Sequence, residues 1–227
     1  MEFFFCLSGF VLAHTYGFKS ISFKKFILNR TFRLYPLHIF VFIVLFFTEV
    51  IKIIAFHLGF YSSLDPFSGA YSLKEIIPNL LFLQSWLPGF DSMSWNGAAW
   101  SLSVEYYMYI IFFFTLFIKS NFKYLVWFLF SFISFFMIIN NFEIMNEVTR
   151  GISCFFTGAL IYLIYKNTYY KFEKINKLIF SFIEISLIIL IIYIVSYIKS
   201  YKAIYASCIF LLIVFIFAFE KVFYQEY

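Results

Sequence analysis

Long apolar runs separated by short polar segments constrain this chain more than any other feature of its sequence. A helix needs about 20 apolar residues to cross a bilayer, and 63% of the residues are hydrophobic while only 13% are charged. Too few polar groups remain to cover a water-exposed surface, which excludes soluble globular, disordered, collagen-like and coiled-coil classes. We predict an all-α fold, a polytopic transmembrane helical bundle. Its seven expected spans are residues 3–16, 37–56, 100–118, 124–140, 151–165, 178–198 and 203–219.

A shorter apolar run, 76–86, lies between the second and third predicted spans. Pro78 lies in its first turn and Pro88 follows its end, and proline interrupts helices because it lacks the backbone N–H. This run is therefore predicted to be a re-entrant or interfacial helix. The first predicted span is also shorter than a full crossing.

The basic residues predict the orientation of the chain. Loops 17–36, 119–123 and 166–177 hold most of the lysines and arginines, which by the positive-inside rule places them in the cytoplasm. The segment 57–98 then faces outward. The net charge of +5 is spread between apolar runs without a continuous basic stripe, so no nucleic acid partner is expected. No metal site or disulfide framework is expected either, because the cysteines lie inside apolar segments without ligand spacing.

The segment 29–36 (NRTFRLYP) is the first of three clusters that stand out from the apolar background. On a helix Arg30 and Arg33 share a face at i, i+3, and Pro36 suits the first turn of the next helix. Guanidinium groups bind phosphates in a bidentate manner. The alternative interpretation is purely topological, because basic residues here also contact anionic lipid headgroups.

The segment 100–107 (WSLSVEYY) is the second cluster. Ser101 and Glu105 are four residues apart and face the same way. An acid inside the membrane costs about 2–3 kcal/mol unless it is paired or hydrated, so Glu105 is a functional candidate. The alternative is a structural role, as a hydrogen bond between helices or as the partner of a lysine. The preceding loop, 89–97, is expected to cap an external pocket or to form an interfacial aromatic belt.

The third cluster is the start of the chain, 3–12 (FFFCLSGFVL), where Ser8 and Gly9 permit close approach of another helix. Helix packing is the favoured interpretation of this cluster. His14 and His38 flank the basic loop 17–36. Either histidine has the chemistry of a general base, but snorkelling to the interface is the commoner role of such residues.

Taken together and in this order, the three clusters resemble the membrane-bound acyltransferase family 3, the integral-membrane O-acyltransferases of bacterial surface sugars. Residues 4–12 (FFCLSGFVL) are similar to its FFxLSGFxL helix, 30–36 (RTFRLYP) to its RxxR cytoplasmic loop, and 100–105 (WSLSVE) to its WSLxxE helix start. Residues 150–158 are similar to a weaker family segment, R…FxxG. The resemblance extends to about residue 160.

This resemblance implies an acyltransferase that transfers groups other than aminoacyl groups. The donor would be cytoplasmic acyl-CoA, with acetyl-CoA expected, and the acceptor a hydroxyl of a cell-surface saccharide. The phosphates of the donor would be bound by Arg30 and Arg33, with Lys25 as a third cation. Glu105, with Ser101 beside it, would orient or activate a polar group in the core. The protein would be a multi-pass protein of the bacterial inner membrane.

The sequence also departs from the family pattern. The family's first helix carries an arginine and a catalytic histidine, whereas this chain begins at the second helix. The chain is therefore expected to be a single partial domain, 1–227, truncated at both ends and inactive on its own. Two alternatives stay open: a carrier or flippase for a lipid-linked sugar, and a non-catalytic remnant that packs against a partner.

Overall fold

The computed structural model describes residues 1–19, 21–60, 65–118, 121–140, 142, 146–172, 177–198 and 202–223. Its regular structure within these residues is helical, as predicted. The α-helices are α1 (Glu2–Tyr16), α2 (Phe23–His57), α3 (Ile76–Leu80), α4 (Ala99–Thr115), α5 (Phe122–Ile139), α6 (Asn146–Phe172), α7 (Lys177–Tyr197) and α8 (Lys202–Phe223). Two 3₁₀ helices, Gly69–Tyr71 and Leu73–Glu75, precede α3.

Each of the seven predicted spans corresponds to one long helix, and α3 corresponds to the short run between them. Among the described residues, four helices are long and apolar enough to cross a membrane: α2, α5, α6 and α7. The helices α1 and α4, with 15 and 17 residues, reach only about 22 and 26 Å, less than the roughly 30 Å hydrocarbon core. The fold class, a helical membrane bundle, is confirmed.

The helix α2 begins well before the predicted start of its span. Residues 23–57 form one helix of 35 residues, about 52 Å long, so it exceeds the thickness of the hydrocarbon core. The prediction of a loop before Pro36 is wrong, because the proline lies inside the helix rather than in its first turn. Proline removes one backbone hydrogen bond at a cost of about 3 kcal/mol. The buried Phe26 and Leu34 pack the turns before it, which offsets that cost.

The helix α3 is much shorter than the predicted run 76–86, because it ends after Leu80. Phe82 has a φ of 57°, in the left-handed region that a helix cannot continue through. Its side chain is fully buried, so packing holds the backbone in this uncommon conformation. Residues 81–86 therefore form turns rather than helix.

The chain divides into two compact units, and the first unit, 1–21 with 114–227, contains α1 and α5 to α8. Within it α6 packs against α1, α5 and α8, and α7 packs against α8. A Cβ atom on Gly9 would collide with the backbone carbonyl of Phe155, and one on Gly158 with that of Cys6. The predicted close approach at Ser8 and Gly9 is thereby confirmed, and its partner is α6.

An ion pair joins the same two helices. The Nε atom of Arg150 donates to Oε1 of Glu2 at 3.0 Å, and Nη2 of the same guanidinium also donates to this oxygen. Arg150 belongs to the weaker motif of the sequence, so this motif ties α6 to the amino end of α1.

The second unit, 22–113, contains α2, α3 and almost all of α4. The ring centroid of Phe113, near the end of α4, lies 5.1 Å from those of Phe23 and Phe26 at the start of α2. The start of α2 therefore lies beside the end of α4, and the two helices run antiparallel. The prediction of a single domain, 1–227, stays a prediction.

Candidate functional site

Three polar residues are buried on one face of α2 in the second unit. Arg30, His38 and Glu49 expose 9%, 1% and 2% of their surface. The i, i+4, i+8 spacing of Arg30, Leu34 and His38 puts these side chains on one face, and Glu49 follows His38 by eleven residues, which is about three turns. A charged side chain at the centre of a bilayer costs about 2.5–3.5 kcal/mol. Such residues persist only where protein groups replace water.

Arg30 and Glu105 contact the same tyrosine. The guanidinium carbon of Arg30 lies 5.5 Å from the ring centroid of Tyr109 and 5.9 Å from that of Phe26, so it stacks between two aromatic rings. The hydroxyl of Tyr109 donates a hydrogen bond to Oε1 of Glu105. Both Tyr109 and Glu105 are fully buried. Tyr109 therefore links a buried cation on α2 to a buried anion on α4.

This link has a clear electrostatic basis. The electron-rich face of an aromatic ring attracts a cation, by about 2 kcal/mol or more when the pair is desolvated. A phenol that donates to a carboxylate makes one of the stronger hydrogen bonds in proteins. Tyr109 does both at once, with its face toward Arg30 and its hydroxyl toward Glu105. The arrangement holds a fixed pair of opposite charges in the core, where it can orient a polar group of a substrate.

Serine and tryptophan side chains join the start of α4 to the preceding turns. The hydroxyl of Ser103 donates to the carbonyl of Phe82 at 2.5 Å, and the indole N–H of Trp86 donates to the carbonyl of Ser103 at 3.2 Å. The hydroxyl of Ser85 donates to the carbonyl of Trp100 at 3.3 Å. These bonds fix the motif segment 100–105 against residues 82–86, which sets the position of Glu105.

His38 does not snorkel to an interface. Its side chain, on α2, is only 1% exposed, and its ring centroid lies 4.5 Å from that of Phe82. Its Nε2 atom is 3.0 Å from the backbone oxygen of Asn79. Because a carbonyl oxygen only accepts, Nε2 carries the proton. The expected interfacial role of His38 is wrong, since this histidine attaches α3 to α2; its role as a general base stays a prediction.

The side chain of Asn79 continues this polar contact. Its Nδ2 atom donates to the hydroxyl of Ser94 at 2.7 Å and to the backbone oxygen of Glu75 at 3.1 Å. The Glu75 carboxylate in turn accepts the backbone N–H of Asp91 at 3.2 Å. His38 and Asn79 thus connect α2 with the loop that precedes α4.

The loop 89–97 folds inward at its tryptophan. Trp95 exposes only 2% of its surface, and its ring centroid lies 4.9 Å from that of Phe42 on α2. Glu49 holds the neighbouring segment, because its carboxylate binds Nζ of Lys52 at 2.6 Å and the backbone N–H of Phe67 at 2.9 Å. Phe90, the other aromatic residue of the loop, is 36% exposed. The expectation that the loop caps an external pocket or forms an interfacial belt stays a prediction.

The structure brings together some of the predicted site residues. Arg30 and Glu105 meet at Tyr109. Arg33 and Lys25 are exposed on α2, so the two arginines do not have the shared environment expected from their spacing. The hydroxyl of Ser101 donates to the carbonyl of Ala98 at 3.0 Å.

Sequence reasoning missed Tyr109, Asn79 and the local role of Ser103. Tyr109 follows Glu105 by four residues, the spacing at which helical side chains meet, so this spacing could have identified it. Asn79 carries no such signal. Its position depends on the turn at Phe82, which sequence alone did not indicate.

Comparisons with known proteins agree with these motifs. The family model of acyltransferase family 3, described as an acyltransferase domain, matches residues 1–226. The chain is similar to Acyltransferase MdmB of Streptomyces mycarofaciens, with 35% identity over 111 residues that cover 48% of this chain and 26% of MdmB. No solved structure matches the chain. Since the family match covers almost every residue, this chain belongs to acyltransferase family 3.

Proposed function

We propose that this protein transfers an acyl group, acetyl in the simplest case, from cytoplasmic acyl-CoA to a hydroxyl of a cell-surface saccharide. Membership of acyltransferase family 3 supports acyl transfer. The observation that carries the proposal is the buried contact of Arg30 and Glu105 through Tyr109. Oppositely charged side chains kept inside an apolar helical bundle mark a functional site. We place this protein in the bacterial inner membrane.

The donor phosphates bind at the amino-terminal part of α2 in this proposal. Lys25 and Arg33 are exposed there, and eight residues separate them by about 12 Å along the helix axis. Two cations at this spacing contact different phosphates of one CoA molecule. Arg30, the third predicted phosphate ligand, is buried between them, so it reaches only a group that enters the bundle.

The acyl transfer itself breaks the thioester C–S bond and forms a C–O ester bond. The proton of the acceptor hydroxyl leaves with the CoA sulfur as a thiol, through a base that the reaction requires. In this proposal Glu105 and Tyr109 orient the polar groups that react. Ser101 lies one helical turn before Glu105 and supports the start of α4 through its bond to Ala98.

Donor binding by Arg33 is testable on the chain as it stands. Arg33→Ala removes a charged hydrogen-bond donor worth about 1.5–3 kcal/mol, so the Kd for acetyl-CoA should rise roughly 10- to 100-fold. The Kd is measured by equilibrium dialysis of the detergent-solubilised protein against labelled acetyl-CoA. Lys24→Ala is the matched control, since Lys24 is an exposed cation on the same stretch of α2.

The control should bind acetyl-CoA with nearly the wild-type Kd. Equal losses in both variants would mean that only the overall positive charge of this end attracts the donor. No loss in Arg33→Ala, with normal elution of the protein on size exclusion, would remove Arg33 from the donor site.

A further inference from the structure

A cavity of about 560 Å³ opens in the first unit beside α1. The helices α1, α6 and α8 form it, and its volume lies within the range of about 300–1,000 Å³ typical of small-molecule sites. Its walls are almost entirely apolar. Residues that line it along its length are Phe3, Leu7, Val11, His14, Val214 and Phe217.

The cavity is a groove that is open along one side. Phe3, Leu7 and Val11 are 38%, 39% and 37% exposed, although they lie one turn apart on the same wall. In a membrane protein such a side opening faces lipid tails. From Phe3 to His14 the groove follows α1 for about 16 Å, which is close to half of the roughly 30 Å hydrocarbon core. Its length therefore matches one leaflet.

The end of the groove at His14 leads to a cationic cluster. Phe18 follows His14 by one turn, and the Nζ atoms of Lys166 and Lys123 lie 3.4 and 5.2 Å from its ring centroid. Lys123 also donates to the carbonyl of Gly17 at 2.7 Å. No carboxylate within the described ranges forms an ion pair with either lysine. The cluster thus offers two uncompensated positive charges at the predicted cytoplasmic end.

We propose that this groove binds one anionic phospholipid of the cytoplasmic leaflet. One acyl chain lies along Leu7 and Val11, and the phosphate lies beside Lys123 and Lys166. An apolar channel one leaflet long with a cationic end is complementary to an amphiphile of this kind. The side opening favours a lipid that enters from the bilayer over a water-soluble ligand. This site is separate from the proposed acyl transfer and does not depend on it.

The test uses a photoactivatable phosphatidylglycerol with a diazirine in one acyl chain. The 227-residue protein is reconstituted in phosphatidylcholine vesicles with a trace of this probe, irradiated, and digested for mass spectrometry. We expect the label to concentrate on α1 and α8. Unlabelled phosphatidylglycerol should displace it, whereas more phosphatidylcholine should not. Uniform labelling of all exposed helix faces would overturn the proposal, as would equal displacement by both lipids.

Two sets of variants test the groove and its cationic end separately. Leu7→Trp fills the groove and should remove labelling there, while Phe132→Trp, at a 57% exposed position of α5, should leave it unchanged. Loss of either Lys123 or Lys166 to alanine should weaken displacement by phosphatidylglycerol about fivefold, the effect of one cation near an anionic surface. Lys24→Ala should not change it.

Further outcomes would also overturn the assignment. If palmitoyl-CoA displaces the label at lower concentrations than phosphatidylglycerol, the occupant is an acyl donor rather than a membrane lipid. If Leu7→Trp does not reach the membrane, Val11→Trp replaces it, and unchanged labelling in that folded variant contradicts a tail-binding groove.

Discussion

At the scale of single residues, the side chain of Tyr109 lies between two side chains of opposite charge and contacts both of them. Arg30 stacks on the face of Tyr109, and the hydroxyl of Tyr109 binds Glu105. Neither charge is in water, because Glu105 is fully buried and Arg30 is 9% exposed. In a medium of low dielectric constant such groups interact strongly, and the loss of one leaves the other poorly compensated. Tyr109 should therefore matter as much as the two charged residues.

The bond between Tyr109 and Glu105 can be measured by a double-mutant cycle. Tyr109→Phe removes only the hydroxyl, and Glu105→Gln removes the charge while it keeps an acceptor oxygen. A hydrogen bond to a charged group contributes about 1.5–3 kcal/mol and a neutral one about 0.5–1.5 kcal/mol. Because the amide still accepts the neutral bond, the two substitutions should show a coupling energy of about 1 kcal/mol. The free energy of unfolding of the four proteins in mixed micelles gives the value.

Tyr107→Phe is the matched control for this cycle. The hydroxyl of Tyr107 donates to the carbonyl of Leu81 and lies in an exposed position, so this variant should show no coupling with Glu105→Gln. Strictly additive effects of Tyr109→Phe and Glu105→Gln would mean that the contact contributes nothing specific.

Some of these residue-level features were predictable from sequence and others were not. The acid Glu105 was recognisable because it interrupts an apolar run, and its burial follows from that position. The different environments of Arg30 and Arg33 were not predictable. Side chains three residues apart on a helix point about 60° away from each other, and here the edge of the buried face falls between these two arginines. Without the boundaries of that face, spacing alone cannot assign each arginine to a side.

At the scale of helices, two features decide how the elements pack. In α2, burial of one face on both sides of Pro36 keeps the helix continuous through the proline. Between α1 and α6, Gly9 and Gly158 bring the two backbones so close that a Cβ atom on either would meet a carbonyl oxygen. Small residues at helix interfaces in membranes allow such close approach, which strengthens the van der Waals packing between the helices.

Gly9→Ala should therefore destabilise the first unit. The added methyl group would overlap the backbone oxygen of Phe155, and overpacking of this kind costs about 1–3 kcal/mol. Thermal unfolding in detergent should show a lower Tm for this variant. Gly97→Ala is the control, because its nearest neighbour, the carbonyl of Met93, is 3.8 Å away at ordinary contact distance. An unchanged Tm in Gly9→Ala would contradict the close approach.

The helices themselves were predictable because hydropathy marks apolar runs directly, but their ends were not. The prediction placed Pro36 in the first turn of the helix that spans 37–56, since proline is over-represented at the first helical position. Tertiary packing overrode that rule. Similarly, α3 ends early because the side chain of Phe82 is buried at a positive φ. Both errors arise where long-range contacts, which a single sequence does not reveal, outweigh local preference.

At the scale of the whole molecule, the hydrophobic composition alone does not explain why polar residues are buried. A chain with 63% hydrophobic residues needs no buried arginine or glutamate to fold in a membrane. The acyltransferase family match over residues 1–226 supports our proposal that these residues act in acyl transfer. The proposed direction of transfer, from the cytoplasm outward, agrees with the basic residues at the start of α2. Both the donor and the acceptor stay proposals.

The most direct test is the transfer of radiolabel from [acetyl-¹⁴C]acetyl-CoA to saccharide in sealed inverted membrane vesicles that contain this protein. In such vesicles the cytoplasmic face is outside, so added donor reaches the start of α2. The proposal predicts label in the saccharide fraction with wild-type protein and with Lys24→Ala, and at least a tenfold lower rate with Glu105→Gln, the effect of about 1.4 kcal/mol. Wild-type vesicles that transfer no label would contradict the proposal and support the expectation that the chain is inactive on its own. Glu105→Gln vesicles that transfer label at the wild-type rate would contradict the role of Glu105.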